Sequence, residues 1–291
     1  MKNNLPYNLN FTDQGQGTPV ILLHGVAGSL RQWDYLIPPL LDAGYRTLAV
    51  DLLGHGDSSW TTDPRHINQH GGYQIEPVYE YFKFWLEGLE LATPPIIIAH
   101  SMGGYLALNH VLRGNPVKGL LLVSPYYTPK QLSRTVRLSI QRPAISSVLL
   151  QNTPYQWVES VIRLSHRNGM SGLFNEAQRQ MAVDFKRFDP RILALPHSTE
   201  DLTPHLPRIR VPTTVVWGEK DLTLSPGSFP RLAISIPHAR SVRIPQCGHV
   251  PHLSHLDFFN QTALQFIRDL SQGYPLIPTR KPFADYPSRE A

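Results

Sequence analysis

The sequence predicts an α/β fold: a mostly parallel central sheet flanked by helices, with a helical segment inserted between two of its strands. Three observations lead there. Short β-branched apolar runs, bounded by Gly, Pro or polar residues, recur along the chain. Helical periodicity fills the intervals between them. Between about 126 and 205 the alternation stops, and helical stretches punctuated by prolines follow one another without a strand run.

Taken in order, Tyr7–Asp13 followed by Gln14-Gly15-Gln16-Gly17 reads as an edge strand and hairpin turn leading into the first central strand. The apolar runs are Pro19–Leu23, Tyr45–Val50, Pro95–Ala99, Gly119–Val123, Val211–Trp217 and Ala239–Ile244. Runs this continuous need burial on both faces, which is the environment of a parallel sheet. Helical patterns cover roughly 30–42, 73–91, 102–113, 228–236 and 257–270, giving right-handed βαβ units. Tyr79, Phe82, Trp85, Leu86 and Leu89 recur at helical spacing and are read as the core face of one of these helices. Helical stretches at 131–140, 154–166 and 173–187 read as a cap over the C-terminal edge of the sheet. The chain thus divides into a core (1–125 and 206–270), a cap (126–205) and a tail (271–291). Four prolines from Gln272 onward predict that the tail is extended or disordered.

Composition narrows the function. The hydrophobic fraction of 41% and charged fraction of 17% are those of an ordinary globular protein. The single cysteine, Cys247, excludes an intramolecular disulfide and a cysteine-rich metal site, and fits a reducing compartment. Met1-Lys2-Asn3-Asn4-Leu5-Pro6 lacks the apolar core of a signal peptide. The runs at 19–23, 95–99 and 119–123 are far too short to span a bilayer. A soluble, cytoplasmic protein is expected, and the acceptor patterns Asn10-Phe11-Thr12 and Asn260-Gln261-Thr262 are read as coincidence. Most of the net charge of +5 comes from 126–205, where ten Lys/Arg stand against six Asp/Glu. Such an excess attracts acidic substrates or anionic membranes. With no basic run and no nucleic-acid module in view, a solvated basic face is the simpler reading.

The chemistry centres on Ile96-Ile97-Ile98-Ala99-His100-Ser101-Met102-Gly103-Gly104-Tyr105, an apolar strand running into a tight turn and then a helix. A serine at such an apex is exposed for attack, and its small neighbours Ala99, Gly103 and Gly104 let strand and helix approach. A serine hydroxyl needs a base, and His249, in the loop after the run at 239–244, is the candidate. The base needs an orienting carboxylate. Asp221, in Gly218-Glu219-Lys220-Asp221, is preferred to its neighbour Glu219. Leu22-Leu23-His24-Gly25-Val26-Ala27-Gly28 ends the first central strand, so the Val26 N–H can pair with the Met102 N–H as oxyanion donors. All four features fall at C-terminal ends of expected parallel strands, where open α/β sheets place their sites. They also run in the order oxyanion loop, Ser, Asp, His.

On these residues the chain resembles the α/β-hydrolase superfamily, in its capped serine-esterase-like branch, over residues 7–270. Ala99 departs from the family's Gly-x-Ser-x-Gly pattern but is still small. Asp51-Leu52-Leu53-Gly54-His55-Gly56-Asp57-Ser58 is similar to the family's Asp-x-x-Gly-x-Gly-x-Ser loop, which implies a structural role beside the active site. The family also permits an acid after the strand preceding the cap; Val123-Ser124-Pro125 offers none, which strengthens Asp221. Epoxide hydrolases and haloalkane dehalogenases of this fold use aspartate as nucleophile, and Ser101 sets this chain apart from them.

Competing motifs carry less. Gly54-x-Gly56 has Ser59 at the third glycine position and no phosphate-binding helix after it. His249, His252 and His255 are spaced like a metal stripe, but Pro251 interrupts them. Cys247 is read as packing, and His66, His70, His197, His205 and His238 as structural or exposed. No cofactor and no metal are expected.

The expected function is hydrolysis of a small or medium apolar carboxylic ester, or a lactone, through an acyl-enzyme. Candidate pocket residues are Ala27, Tyr126, Trp157, Met181, Phe185, Leu222 and Val250, with Tyr127 and Phe188 adding apolar surface. Two alternatives stand beside it. One is C–C bond hydrolysis of vinylogous diketones, with Arg163, Arg167 and Arg179 available to a substrate carboxylate, although such enzymes often show Asn where this chain has His100. The other is a ligand-binding, receptor-like member.

Overall fold

The computed structural model describes residues 8–141, 153, 156, 172–274 and 283–285. Among them eight strands form one sheet: β1 (Phe11–Gln14), β2 (Pro19–Leu23), β3 (Arg46–Val50), β4 (Ile96–His100), β5 (Gly119–Val123), β6 (Thr213–Gly218), β7 (Arg240–Ile244) and β8 (Phe283–Asp285). Their spatial order is β1-β3-β2-β4-β5-β6-β7-β8. Every neighbouring pair is parallel except β1 with β3.

The expected hairpin between the edge strand and the first central strand does not form. β1 pairs with β3, Phe11 opposite Val50, and the turn passes beneath the start of β3 to put β2 on its other side. Gly17, at φ 97°, makes the crossing possible, because a Cβ there would lie 2.4 Å from the Gly44 carbonyl oxygen.

Side chains alternate across the sheet, as the pleat demands. Ile21, Leu23, Ile97 and Leu122 join one buried cluster, and Val20, Leu22, Ile98 and Val123 the other. The first is covered by α2 (Ile75–Gly88), α3 (Met102–Leu112) and α6 (Ser228–Ser235), the second by α1 (Ile37–Asp42) and α8 (Leu256–Ser271). The aromatic stripe of α2 packs as expected: Tyr79 and Phe82 are fully buried. Each side chain of that kind contributes about 1.5–3 kcal/mol. The expected helix over 30–42 is instead a 3-10 turn at Leu30–Trp33 followed by α1. Pro38 and Pro39 lack the N–H that a continuous helix would use, so they sit in the first turn of a new one.

Between β5 and β6 the described residues are helical, with α4 (Arg134–Ile140), α5 (Gly172–Asp184) and 3-10 segments at Pro190–Ser198 and Thr203–Arg208. The expected helix over 154–166 lies outside the described residues but for Gln156. A four-residue helix, α7 (Pro251–Ser254), precedes α8. Of the expected tail, 271–274 and 283–285 lie among the described residues, and the second stretch is an extended strand. Tyr274 is buried, donates from its hydroxyl to the Thr213 carbonyl at 2.9 Å, and is followed by β8 on the edge of β7. No helix among the described residues is long and apolar enough to cross a membrane.

Candidate active site

β4 delivers the chain to Ser101, whose backbone sits at φ 50°, ψ −112°. That conformation costs a non-glycine residue on the order of 1–3 kcal/mol and persists only when the surroundings impose it. They do so from both sides. The Ser101 N–H donates to the Val123 carbonyl at 3.0 Å, and the Ser101 carbonyl accepts from Tyr126 N–H at 3.0 Å and Tyr105 N–H at 3.3 Å. Gly103 brings α3 against β2, since a Cβ there would meet the Leu23 and His24 carbonyl oxygens at 2.7 Å. Ser101 is the N-cap of α3, yet its side chain makes no capping bond. Its Oγ lies 3.0 Å from His249 Nε2 instead.

His249 Nδ1 lies 2.7 Å from Asp221 Oδ2. The other carboxylate oxygen, Oδ1, accepts from the Thr223 and Leu224 N–H groups at 2.8 and 2.9 Å. Facing a carboxylate, Nδ1 carries the ring proton and donates it, which leaves Nε2 bare to accept from the serine hydroxyl. Glu219 does not compete, because its carboxylate is 3.5 Å from Arg243. Val26 and Met102 both line the cavity in front of Ser101, and neither N–H takes a backbone acceptor among the described residues. The Val26 segment is anchored by buried His24, which donates from Nδ1 to the Gly25 carbonyl at 2.7 Å and accepts at Nε2 from Leu52 N–H at 2.9 Å. Asp51 ties down the next loop, accepting from Leu30 N–H, Asp57 N–H and the Asn10 amide at 2.7–3.0 Å.

Ser101 opens into an apolar cavity of about 520 Å³. Of the expected pocket residues, Ala27, Tyr126, Met181, Phe185 and Val250 line it, beside the oxyanion candidate Val26, and Trp157 lies outside the described residues. Leu222 is a correction: it is 70% exposed, and Leu224 lines the cavity in its place. The two N–H bonds into Asp221 Oδ1 close a tight turn with Leu222 at its outer apex, and Leu224 is drawn inward by its bridge to Leu132. Tyr127 and Phe188 are buried in the core cluster rather than in the cavity wall. The expectation missed Val136 and Ile140 of α4, whose i, i+4 spacing was a readable signal, and Leu193 and Leu195, whose 3-10 segment has none. It also missed Gln32 and His100, buried polar residues that periodicity ignores. Among the described residues no Asp, Glu, Lys or Arg side chain lines the cavity. Arg179 is exposed and away from it, and Arg163 and Arg167 lie outside the described residues.

The competing motifs resolve into packing. Cys247 is buried, and burial pushes its thiol up to about 12. His252 stacks on Trp33 with ring centroids 4.8 Å apart, and burial pulls it down to about 3. His255 Nδ1 meets the Ser254 hydroxyl at 2.9 Å. Among the described residues no three metal-ligating side chains form a site.

A parallel sheet with a strained serine between its central strand and a helix, faced by histidine and carboxylate from later strand ends, defines an α/β-hydrolase fold. The chain belongs to the alpha/beta hydrolase family, whose model matches residues 20–262. It is similar to bifunctional epoxide hydrolase 2 of Rattus norvegicus, 24% identical over 89% of this chain but only 53% of that protein, so it spans about half of that relative's length. It is also 24% identical to a 2-hydroxy-6-oxo-6-phenylhexa-2,4-dienoate hydrolase of Burkholderia cepacia, over 90% of this chain and 91% of that one. A thermophilic esterase from Thermogutta terrifontis superposes with a TM-score of 0.74 at 24% identity, covering 91% of this chain and 94% of the esterase. At these identities the likeness establishes the fold and leaves the substrate open.

Proposed function

We propose that this protein is a serine hydrolase that cleaves a small or medium apolar carboxylic ester, or a lactone, by two-step acyl transfer. The observation that carries the reading is the hydrogen-bonded run Ser101–His249–Asp221 opening into an apolar cavity. Ser101 Oγ attacks the carbonyl carbon as His249 Nε2 takes its proton, and Asp221 stays ionised to steady the imidazolium. The Val26 and Met102 N–H groups receive the oxyanion; losing one such donor typically costs about 3 kcal/mol. His249 then protonates the leaving oxygen, the acyl-enzyme forms, and a water activated by the same imidazole releases the acid. The segment between β5 and β6, 126–205, acts as the cap that closes the cavity. The protein works on a small molecule, without cofactor or nucleic acid, in the cytoplasm.

The Burkholderia relative keeps C–C bond hydrolysis as a second reading. A cavity wall without a charged side chain among the described residues speaks against it, since a dienoate carries a carboxylate that would be buried unpaired. Labelling by a fluorophosphonate, abolished in Ser101→Ala, tests the nucleophile and separates an enzyme from a receptor-like member. Ser101→Ala should lower kcat by roughly 10⁶. p-Nitrophenyl esters of increasing chain length, set against a dienoate diketone, separate the two chemistries. Ester turnover by Ser101→Ala within tenfold of wild type refutes the proposal.

A further inference from the structure

Three further polar side chains are buried beside the Ser101–His249–Asp221 array: His100, Gln32 and His252. Among the described residues His252 makes no hydrogen bond, and it packs its ring on Trp33 and against His100. His100 is different, because both of its nitrogens meet groups of the site. Its Nε2 lies 3.0 Å from the carbonyl oxygen of His249. A carbonyl only accepts, so Nε2 carries the ring proton and donates it. The His249 carbonyl accepts from no backbone N–H among the described residues, so this side-chain bond is what holds it.

The ring is neutral: burial, and then the neighbouring imidazoles of His252 and His249, hold it well below the usual histidine range. Nδ1 is therefore bare, and it faces the carboxamide of Gln32 at 3.3 Å. That contact is satisfied when the amide turns its NH₂ toward the ring. Turned that way, Gln32 gives up the long 3.5 Å contact in which its Oε1 would accept from Gly25 N–H, and Gly25 meets the ring by packing instead: a Cβ there would come within 2.7 Å of His100 Nδ1. His100 thus fills the gap between the Gly25–Val26 segment and the His249 loop. Both flanking segments leave different strands, β2 and β7, and no backbone hydrogen bond among the described residues joins them.

We propose that His100, seconded by Gln32, is a positioning residue that clamps the base-bearing loop through the His249 carbonyl and ties it to the oxyanion-donor segment. The inference rests on the serine-hydrolase reading. His100 need not touch the substrate's reacting atoms to matter. A carbonyl that loses this donor lets the loop swing, and the 3.0 Å contact between His249 Nε2 and Ser101 Oγ opens with it.

The test compares His100→Met with His100→Gln, side chains of similar length of which only glutamine donates. kcat and KM for p-nitrophenyl butyrate and the melting temperature are measured for both. His100→Met should lower kcat about tenfold with KM within about threefold, because an orphaned buried carbonyl is worth on the order of one decade in rate. His100→Gln should recover most of that loss at equal melting temperature. A His100→Met kcat within about twofold of wild type overturns the proposal, and so does a glutamine variant no better than methionine. Should either variant fail to fold, Gln32→Met carries the test: kcat falls about threefold at unchanged KM, and an unchanged kcat overturns the coupling. Fluorophosphonate titration of wild type and Ser101→Ala runs alongside. If Ser101 is not labelled, the hydrolase reading has failed; if it is labelled and His100→Met is fully active, only the positioning role has.

Discussion

Asp221→Asn is the sharpest probe of the site because the surrounding bonds dictate how asparagine must sit. Asp221 Oδ1 accepts two backbone N–H groups, from Thr223 and Leu224, at 2.8 and 2.9 Å. Only an oxygen can occupy that position, so the asparagine carbonyl stays there and its NH₂ is forced to the Oδ2 position, 2.7 Å from His249 Nδ1. Two donors cannot face each other. The imidazole must move its proton to Nε2, where it points at Ser101 Oγ and can no longer accept the serine's proton. A wrong-tautomer substitution of this kind costs about 10⁴ in kcat, or ~5.5 kcal/mol of barrier. The turn keeps both backbone bonds, so the melting temperature should barely move. Steady-state hydrolysis of p-nitrophenyl butyrate, with a thermal melt on the same samples, reads both. If kcat for Asp221→Asn stays within tenfold of wild type, Asp221 does not orient the base. Asp221→Ala is the complementary control, since it strands the two N–H groups and should lower the melting temperature as well as the rate.

Three other substitutions probe the remaining surfaces. Val136→Phe narrows the cavity from α4, so long acyl chains should lose about fourfold in kcat/KM for each methylene that no longer fits, while acetate esters are spared; a flat change across chain lengths would remove Val136 from the acyl site. Cys247→Ser should keep kcat within about threefold, and iodoacetamide at pH 8 should leave wild-type activity intact, because a thiol raised to about 12 supplies almost no thiolate. Loss of activity on alkylation would reinstate the thiol. Asp184, at the C-terminal end of α5, is buried and accepts from Gln180 Nε2 at 2.8 Å. Burial raises its carboxyl from 3.8 to about 6. The folded state therefore holds the proton more tightly, and stability falls as pH rises from about 4 to 6. The shift of about two units corresponds to roughly 3 kcal/mol, so Asp184→Asn should gain on wild type at pH 7.5 and lose that advantage by pH 4 in urea titrations. A constant difference across that range refutes the account.

How far the sequence foretells this molecule depends on whether a residue's role follows from its neighbours in the chain or from neighbours in space. The continuous runs of β2, β4 and β5 could only be two-sided strands, and they are fully buried. Once those strands were placed, Ser101, Asp221 and His249 had to emerge at one edge of the sheet, because parallel strands present their C-terminal ends together. The misplacements have a common origin. β1 reads as half of a hairpin because its turn glycines suit one, yet those glycines serve a crossing under Gly44, a residue far along the chain. Leu222 reads as a pocket residue because it adjoins Asp221, but the turn that satisfies Asp221 throws it outward.

His100 and Gln32 carry this logic furthest. Neither periodicity nor motif marks them, and a buried polar residue without an evident partner reads as a defect until the fold supplies one. Here the partner of His100 is the carbonyl of His249, the partner of Gln32 is the His100 ring, and the Gly25 backbone of a separate loop packs against them. A sheet brings three loops to one edge but does not fix the distances among them, and an acyl-transfer site tolerates errors of only about an ångström. Side chains that bond across loops are the means by which that tolerance can be met. The residue immediately before the serine is the one best placed to do so, because the strain at Ser101 already fixes its position.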